Sequence, residues 1–457
     1  MKCGMQLLIS TVMLLCSPVL ALRAAPSPET PKNGRTITLE QAYDRALASE
    51  QSILKAYIEI RKAKLQQWSS LTPVFPSITA TVSKSKSGSS SYTPAGGSGD
   101  TSYSFSGTTH SHSDSVSPGI NYRQTLLDFT VIPGWRQARL NTHESRLTYQ
   151  HTVRTVLYDL ARAYYDVLKQ KQILTVSRES LKLAEAQLDI AQKRANAGEA
   201  LRSDVLNARV TVETNRQFMI EAENTLASSL STLSKILNLP WDFEYQVVDP
   251  PNYPQDVPAY SKLLQRAMTS REDLQALALV IDKNLEGRKK VLAQYAPSVA
   301  AEANAFIENT NGTTSSRQSS WNASIYVEIP ISTGGQREID LRNSVYLIDQ
   351  ARLDYESQAK TVEQEVKDSW LNVRTQKAYI QSLTVQVEAA RQAYEDIQNQ
   401  YKAGTSTSIE VLAALNSLNE SRRDLAGRIY DYQVALRQLE ASIGVFQDSR
   451  VRKLNTR

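Results

Sequence analysis

Two carboxylates stand out by position: Asp204 and Glu410 each follow a turn glycine, Gly198 and Gly404, by six residues. An acid in the first turn of a helix has two uses. It can cap the helix, accepting from free backbone N–H groups and complementing the helix dipole. Gathered with symmetry copies around an axis, it can instead form a ring of carboxylates that favours cations and raises its own pKa by like-charge repulsion. Thr407-Ser408-Ile409-Glu410 has the form of a capping box, so both uses stay open for Glu410. Asp204 has Leu201 where a capping side chain would sit, which favours the ring there.

Other chemistry finds little support. The sequence holds no phosphate-cradling glycine loop and no paired-histidine zinc helix. His143 and His151 are about 12 Å apart along a helix, too far to share one metal. His110 and His112 fall in a segment rich in Ser, Gly and Thr, read as a long flexible loop, and have no second pair of ligands. The many acids are interspersed with Lys and Arg, the pattern of solvated helix faces. No catalytic residue, cofactor or metal is assigned. A net charge of +5 spread along helices does not point to nucleic acid.

The elements that position the two acids are long helices. Leu425, Ile429, Tyr432, Leu436, Leu439 and Ile443 recur at steps of four and three, a coiled-coil seam rather than a broad globular face. Another long helical stretch precedes Gly404, so Ala403-Gly404 reads as the left-handed turn of a helical hairpin. The pattern occurs twice. Ala197-Gly198 precedes Asp204-Val205-Leu206 as Ala403-Gly404 precedes Glu410-Val411-Leu412. Helical runs 39–71 and 263–295 correspond as well, as do Pro133-Gly134-Trp135-Arg136 and Gly334-Gly335-Gln336-Arg337. The chain is a duplication, 38–240 and 259–444, each half reading helix, strand, loop, strand, very long helix, turn, long helix.

Taken together, Tyr401-Lys402-Ala403-Gly404, Ile409-Glu410-Val411-Leu412, Ser421-Arg422-Arg423-Asp424-Leu425, then Tyr432, Ala435, Leu439 and Gly444 resemble the TolC-like outer-membrane efflux proteins. The likeness runs through both halves.

The start reads as a secretory signal over 1–21: Met1-Lys2, an apolar core from Met5 to Leu15, and Ala21 at the cleavage position. A lipid anchor at Cys16 is the competing reading, against which Met13-Leu14-Leu15 places large residues where small ones are usual. Cys3 and Cys16 both lie inside that segment, so the mature chain is expected to hold no disulfide. Residues 22–37 form a proline-containing lead-in, 241–258 a proline-rich linker, and 445–457 a basic tail. Trp241, Phe243 and Tyr245 are candidates to anchor the linker. Mean hydropathy is −0.38, as expected of helices burying narrow seams, and no stretch after the signal is long and apolar enough to be a membrane helix.

Four stretches switch to period two: 76–86, 115–127, 297–308 and 321–330. Ile78, Ala80 and Val82 alternate with Thr79, Thr81 and Ser83; Ile325, Val327 and Ile329 alternate with Ser324, Tyr326 and Glu328. Segments of about ten residues fit tilted membrane barrel strands, yet four cannot close a barrel and leave no open edge in lipid. Two chains would supply eight strands and three would supply twelve. Helical stretches 134–195 and 335–402 would each extend roughly 90 Å or more, lengths suited to coiled coils or a helical tube. The turns at 195–203 and 401–408 would sit at their far ends.

The resemblance implies the rest. The fold class is mainly α with a small membrane β-barrel: duplicated repeats, coiled-coil hairpins, and four strands per protomer closing a twelve-stranded barrel in a homotrimer. It implies a passive channel of the bacterial outer membrane extending into the periplasm, with the linker in an equatorial belt. The expected partners are outer-membrane lipid, a periplasmic adaptor (membrane fusion protein) and a proton-driven or ATP-driven inner-membrane pump. It places the turns at the periplasmic tip and matches Asp204 and Tyr401 to residues that close it; Glu410 joins them as a ring candidate. Ser406 and Ala413 depart from basic and acidic residues found in some relatives, which predicts a looser or differently wired closure. A secreted structural coiled coil without transport activity is the alternative, and the strand pairs in both halves count against it.

Overall fold

The computed structural model describes residues 36–92, 108–240, 245–250, 257–312 and 316–446. The expected signal, both cysteines, Trp241, Phe243 and nearly all of the tail lie outside them. The first repeat runs β1 (Thr36–Ile37), α1 (Leu39–Ser49), α2 (Gln51–Ser69), β2 (Ser77–Tyr92), β3 (Thr108–Leu127), α3 (Val131–Asn196) and α4 (Arg202–Ile236). After β4 (Gln246–Val247) the second runs α5 (Tyr260–Ser270), α6 (Glu272–Ala293), β5 (Ser298–Gly312), β6 (Ser316–Glu328), α7 (Gln336–Lys402) and α8 (Ser408–Ser442). The duplication is visible in the lengths. Helices α3 and α7 have 66 and 67 residues, while α4 and α8 have 35 each.

Each repeat departs from expectation at its first helix. The runs 39–71 and 263–295, expected as single helices, are broken at Glu50 and Arg271, both in extended conformation. Glu50 restarts the helix itself: its carboxylate accepts from the N–H groups of Ser52 at 2.5 Å and Ile53 at 3.1 Å. Arg271 is held by partners distant in sequence. Its guanidinium donates to Asp273 at 2.9 and 2.6 Å, to Glu365 on α7 and to the Ser442 carbonyl on α8. Beside it Arg154 of α3 and Glu272 form a buried ion pair.

Helix α3 is the hub. It packs along α2 and α6 over its first half and along α4 and α8 over its second, and α7 pairs likewise with α6 and α8. At mid-length Tyr43, Leu157, Leu160, Tyr164, Leu233 and Phe446 form the largest core. The Tyr164 hydroxyl accepts from the Val248 N–H at 3.0 Å and lies 2.6 Å from the Val248 carbonyl and 2.9 Å from that of Ile37. It thereby fixes the small parallel sheet β1–β4 to the hub, so Thr36 and Ile37, expected as lead-in, are structured. Tyr245 anchors the linker as expected, donating to the Leu230 carbonyl at 2.9 Å. The α8 seam is met by Leu436, Leu439 and Ile443, packed on Val362 and Val366 of α7. Lower down, Ile429 is exposed and Ala426 and Tyr430 take the buried positions, because α8 there also faces α3.

Strands β2, β3, β5 and β6 form one antiparallel sheet in that order. They are longer than expected. The residues between the expected strands 76–86 and 115–127, read as a loop, pair as far as Tyr92 and from Thr108 onward, and those between 297–308 and 321–330 pair up to Gly312 and from Ser316. Serines hold the extension through cross-strand contacts: Ser85 to Ser115 at 2.6 Å, Ser87 to Ser113 at 2.8 Å, Ser89 to Ser111 at 2.7 Å. His110 and His112, expected in the loop, are therefore strand residues opposite Ser90 and Gly88. The register aligns Ile78, Tyr122, Ala303 and Ala323 on one face, with Ala80, Ile120, Ala305 and Trp321 in the next row. That face is uncovered in the protomer, with Ile78, Trp321 and Ile325 69, 79 and 71% exposed. The opposite face is polar: Arg123 lies 3.4 Å from Glu302, which accepts from Tyr326 at 2.9 Å.

The ionic cluster around Arg271 sets a pH dependence. Burial lowers the His151 pKa, Asp273 and Glu365 opposing it and Arg154 and Arg271 adding to it, so the folded state favours the neutral histidine and this contribution is lost as pH falls below about 6.5. Burial of Asp273 opposes its charge, but the Arg271 fork outweighs it and pulls the pKa down to about 2; that contribution is lost from about pH 4 downward. Amide exchange across α5 and the start of α6 is expected to rise in two steps on acidification. His151→Gln is expected to remove the upper step alone.

Candidate functional site at the hairpin tips

Both hairpins turn through the same backbone geometry. Gly198 and Gly404 have φ of +78° and +81°, the left-handed region where a side chain would add strain. Each ends its helix with a 6→1 bond: Glu199 N–H to the Arg194 carbonyl and Thr405 N–H to the Gln400 carbonyl, both 2.9 Å. Ala197 and Ala403 precede them as the last right-handed residues, as expected.

The acids on the returning helices are both caps. Glu410 accepts from the Thr407 N–H at 2.9 Å and from the Ser406 hydroxyl at 2.5 Å, while the Thr407 hydroxyl accepts from the Glu410 N–H at 3.4 Å. The Ser406 hydroxyl first, then Thr407, holds the Glu410 carboxyl below its usual range. Within the protomer this is opposite to the rise expected of a carboxylate ring. Asp204 accepts from the Leu201 N–H at 3.1 Å, making the carboxylate half of a capping box whose other half a leucine cannot supply. Leu201, which favoured the ring in the sequence, offers no side-chain cap, yet its backbone N–H gives Asp204 a capping role within the protomer.

Tyr401 sits apart from the acids. Its ring is buried with Tyr394, Val411, Leu415 and Val212, and its hydroxyl is enclosed without a hydrogen bond. Arg194 covers the ring at 4.4 Å and also donates to the Tyr401 carbonyl. Arg194 also lies 3.5 Å from Glu199 and so ties the first turn to the second. Further in, the buried Asn419 amide lies 3.4 Å from the Asn215 oxygen, joining α8 to α4. Sequence reasoning missed Arg194 and the two asparagines. Arg194 had one legible signal, a cation in the last turn before a capping glycine; the asparagine pairing had none, its members lying in different repeats. The protomer brings Tyr401 to Arg194, and no hydrogen bond joins Tyr401 to Asp204 among the described residues.

A profile of the outer membrane efflux protein family matches residues 42–239 and 263–445, the two repeats. The chain belongs to that family. The outer membrane protein TolC of Escherichia coli K12 is 23% identical over 358 residues, covering 75% of this chain and 72% of TolC. The outer membrane efflux protein BepC of Brucella suis is 24% identical over 325 residues, 69% of each chain. The crystal structure of the Campylobacter jejuni CmeC outer membrane channel superposes with a TM-score of 0.73 at 16% identity, covering 94% of this chain and 93% of CmeC, and so shares its fold. This protein is an outer-membrane efflux channel of the family, with two hairpins meeting at one tip.

Truncating Arg194 to alanine is expected to loosen both turns by about 1–2 kcal/mol, the range of a partly desolvated cation–π contact. Thr407→Ala is expected to cost about 1 kcal/mol as a lost N-cap, confined to the start of α8. Hydrogen exchange resolved to 195–208 and 399–412 distinguishes the two patterns.

Proposed function

We propose that three copies of this chain form the passive exit duct of a tripartite efflux or type I secretion system. The four-stranded sheet carries the proposal: one face is apolar and uncovered, and β2 and β6 end the sheet with open edges. Lipid tolerates neither open edge, and cyclic closure pairs β6 of each protomer with β2 of the next into a twelve-stranded barrel. The polar face around Arg123, Glu302 and Tyr326 then lines the lumen. Helices of 66 and 67 residues extend the duct by roughly 100 Å into the periplasm. A secreted coiled coil would have no use for such a sheet.

The tip is the gate in this reading. Asp204 and Glu410 from three protomers ring the axis, and the lowered Glu410 pKa keeps its share of the ring charged. Tyr401 and Asp204 remain the proposed closure pair, and because the Tyr401 hydroxyl is enclosed within the protomer, it must swing out from beneath Arg194 to reach Asp204 of a neighbouring copy. Docking of a periplasmic adaptor, followed by a proton-driven or ATP-driven inner-membrane pump, breaks those contacts and opens the turns at Gly198 and Gly404.

The absence of cysteine outside the expected signal segment permits a direct test. Ser406→Cys, labelled with a photo-crosslinker in living cells, is expected to capture an adaptor, and the pump that accompanies it separates drug efflux from polypeptide secretion. An assembled trimer that captures neither would overturn the pump-coupled mechanism. In planar bilayers the open channel is expected to prefer cations at 0.1 M salt, and Asp204→Asn with Glu410→Gln to reduce that preference. The difference should shrink at 1 M salt, where charges are screened within about 3 Å.

A further inference from the structure

The outward face of the sheet changes character abruptly on the side away from the helices. On β2 the apolar positions Ile78, Ala80 and Val82 are followed on the same face by Lys84 and Lys86. On β6 the corresponding series Val327, Ile325, Ala323 and Trp321 is followed by Ser319 and Arg317. The ladders β2–β3 and β5–β6 run without a bulge, so the alternation of faces is preserved across these positions. The register sets Arg317 in the row of Lys84, two rows beyond that of Ala80 and Trp321, with Lys86 one row further out. Trp321 marks the boundary, an aromatic at the height where barrel girdles meet the headgroups. Lys86 lies 4.0 Å from Asp114 and is partly offset; Lys84 and Arg317 have no ion-pair partner among the described residues.

These cations occupy the two edge strands of the sheet. Within one protomer they are separated by β3 and β5, whereas closure of the barrel sets β6 beside β2 of the next copy, about 4.8 Å away. Each seam then carries Lys84 and Lys86 from one protomer and Arg317 from its neighbour, facing lipid at the outer rim of the apolar band. Three cations clustered there match the phosphates of an anionic glycolipid whose acyl chains lie against Val82, Ile325 and Trp321. Arginine adds a planar fork suited to phosphate, with lysines as point charges.

We propose that each seam between protomers is a binding site for the phosphorylated glycolipid of the outer leaflet, held by Lys84, Lys86 and Arg317. The inference rests on the trimeric barrel reading above. The test uses the full chain extracted from outer membranes as an oligomer, in detergent, with native mass spectrometry counting retained lipid. Bisphosphorylated lipid A is expected to remain bound, with monophosphorylated lipid A, phosphatidylethanolamine and inorganic phosphate at least tenfold weaker. Lys84→Gln with Arg317→Gln is expected to reduce retention at least tenfold while the oligomer survives.

Equal retention of lipid A with and without its phosphates, or unchanged retention by the double variant, would overturn the site. So would binding of inorganic phosphate that matches the lipid, which would make the cluster a simple anion site. A separate pair of changes, Lys86→Cys with Arg317→Cys, is expected to give disulfide-linked oligomers on oxidation. A monomeric extracted protein would sink the barrel reading together with this inference; a cross-linked trimer indifferent to lipid phosphate would sink the inference alone.

Discussion

A β-strand with an open edge cannot rest in hydrocarbon, since every unpaired N–H and C=O there goes without a partner. This chain makes a four-stranded sheet with two such edges and an apolar face that nothing in the protomer covers. Most of the architecture follows from that constraint. Copies must meet edge to edge, so the helices leaving the sheet must stand side by side in a ring. A helix in a ring buries two narrow flanks instead of one broad face. That is why α3 and α7 carry many glutamines and charged residues beside narrow apolar seams, and why a chain of 457 residues has a mean hydropathy of only −0.38.

Duplication supplies the ring with equivalent parts, and the differences between the repeats lie where the parts meet. The two tips share their glycine geometry to within a few degrees. Their caps differ: Thr407 completes a reciprocal box with Glu410, while Leu201 leaves Asp204 to bond the backbone alone. The first helices of the repeats break at matching places by different means, one through a self-capping glutamate and the other through an arginine that reaches into α7 and α8. In each case the second repeat carries the more elaborate polar contacts. It also contributes α8, which packs on both α3 and α7.

The sequence disclosed what is local. Period-two alternation located all four strands, and the glycines at 198 and 404 located both turns, because side-chain direction and backbone handedness are properties of a few neighbouring residues. The strand ends beyond Lys86 and ahead of Ser115 were invisible to that reasoning, since they are serine ladders in which both faces look polar. The broken first helices were missed for a related reason: Glu50 and Arg271 sit in good helical sequence, and their conformations depend on capping and on Glu365 and Ser442 far along the chain. At the tip the capping box of Glu410 was legible, whereas Asp204, with Leu201 before it, was read toward the ring. The position of Tyr401 beneath Arg194 was not, because a contact between residues 207 apart leaves no periodic trace.

The contacts that escaped the sequence constrain how the tip can move. Arg194 grips both the ring and the carbonyl of Tyr401, Asn419 meets Asn215, and Ala191, Ala208 and Leu412 pack between the hairpins. These join the α3–α4 hairpin to the α7–α8 hairpin within one protomer, and the asparagines lie where water cannot replace a lost partner. Separating the hairpins would expose that apolar surface and leave buried amides unsatisfied. Moving a whole protomer tip outward disturbs only what lies between protomers, where the turn residues, Leu201 and Ile409 included, are already solvated in the protomer. In the proposed duct the lower-cost opening is therefore a displacement of intact hairpin pairs against one another, with the long helices flexing along their length and the ionic cluster at Arg271 holding their upper halves in place.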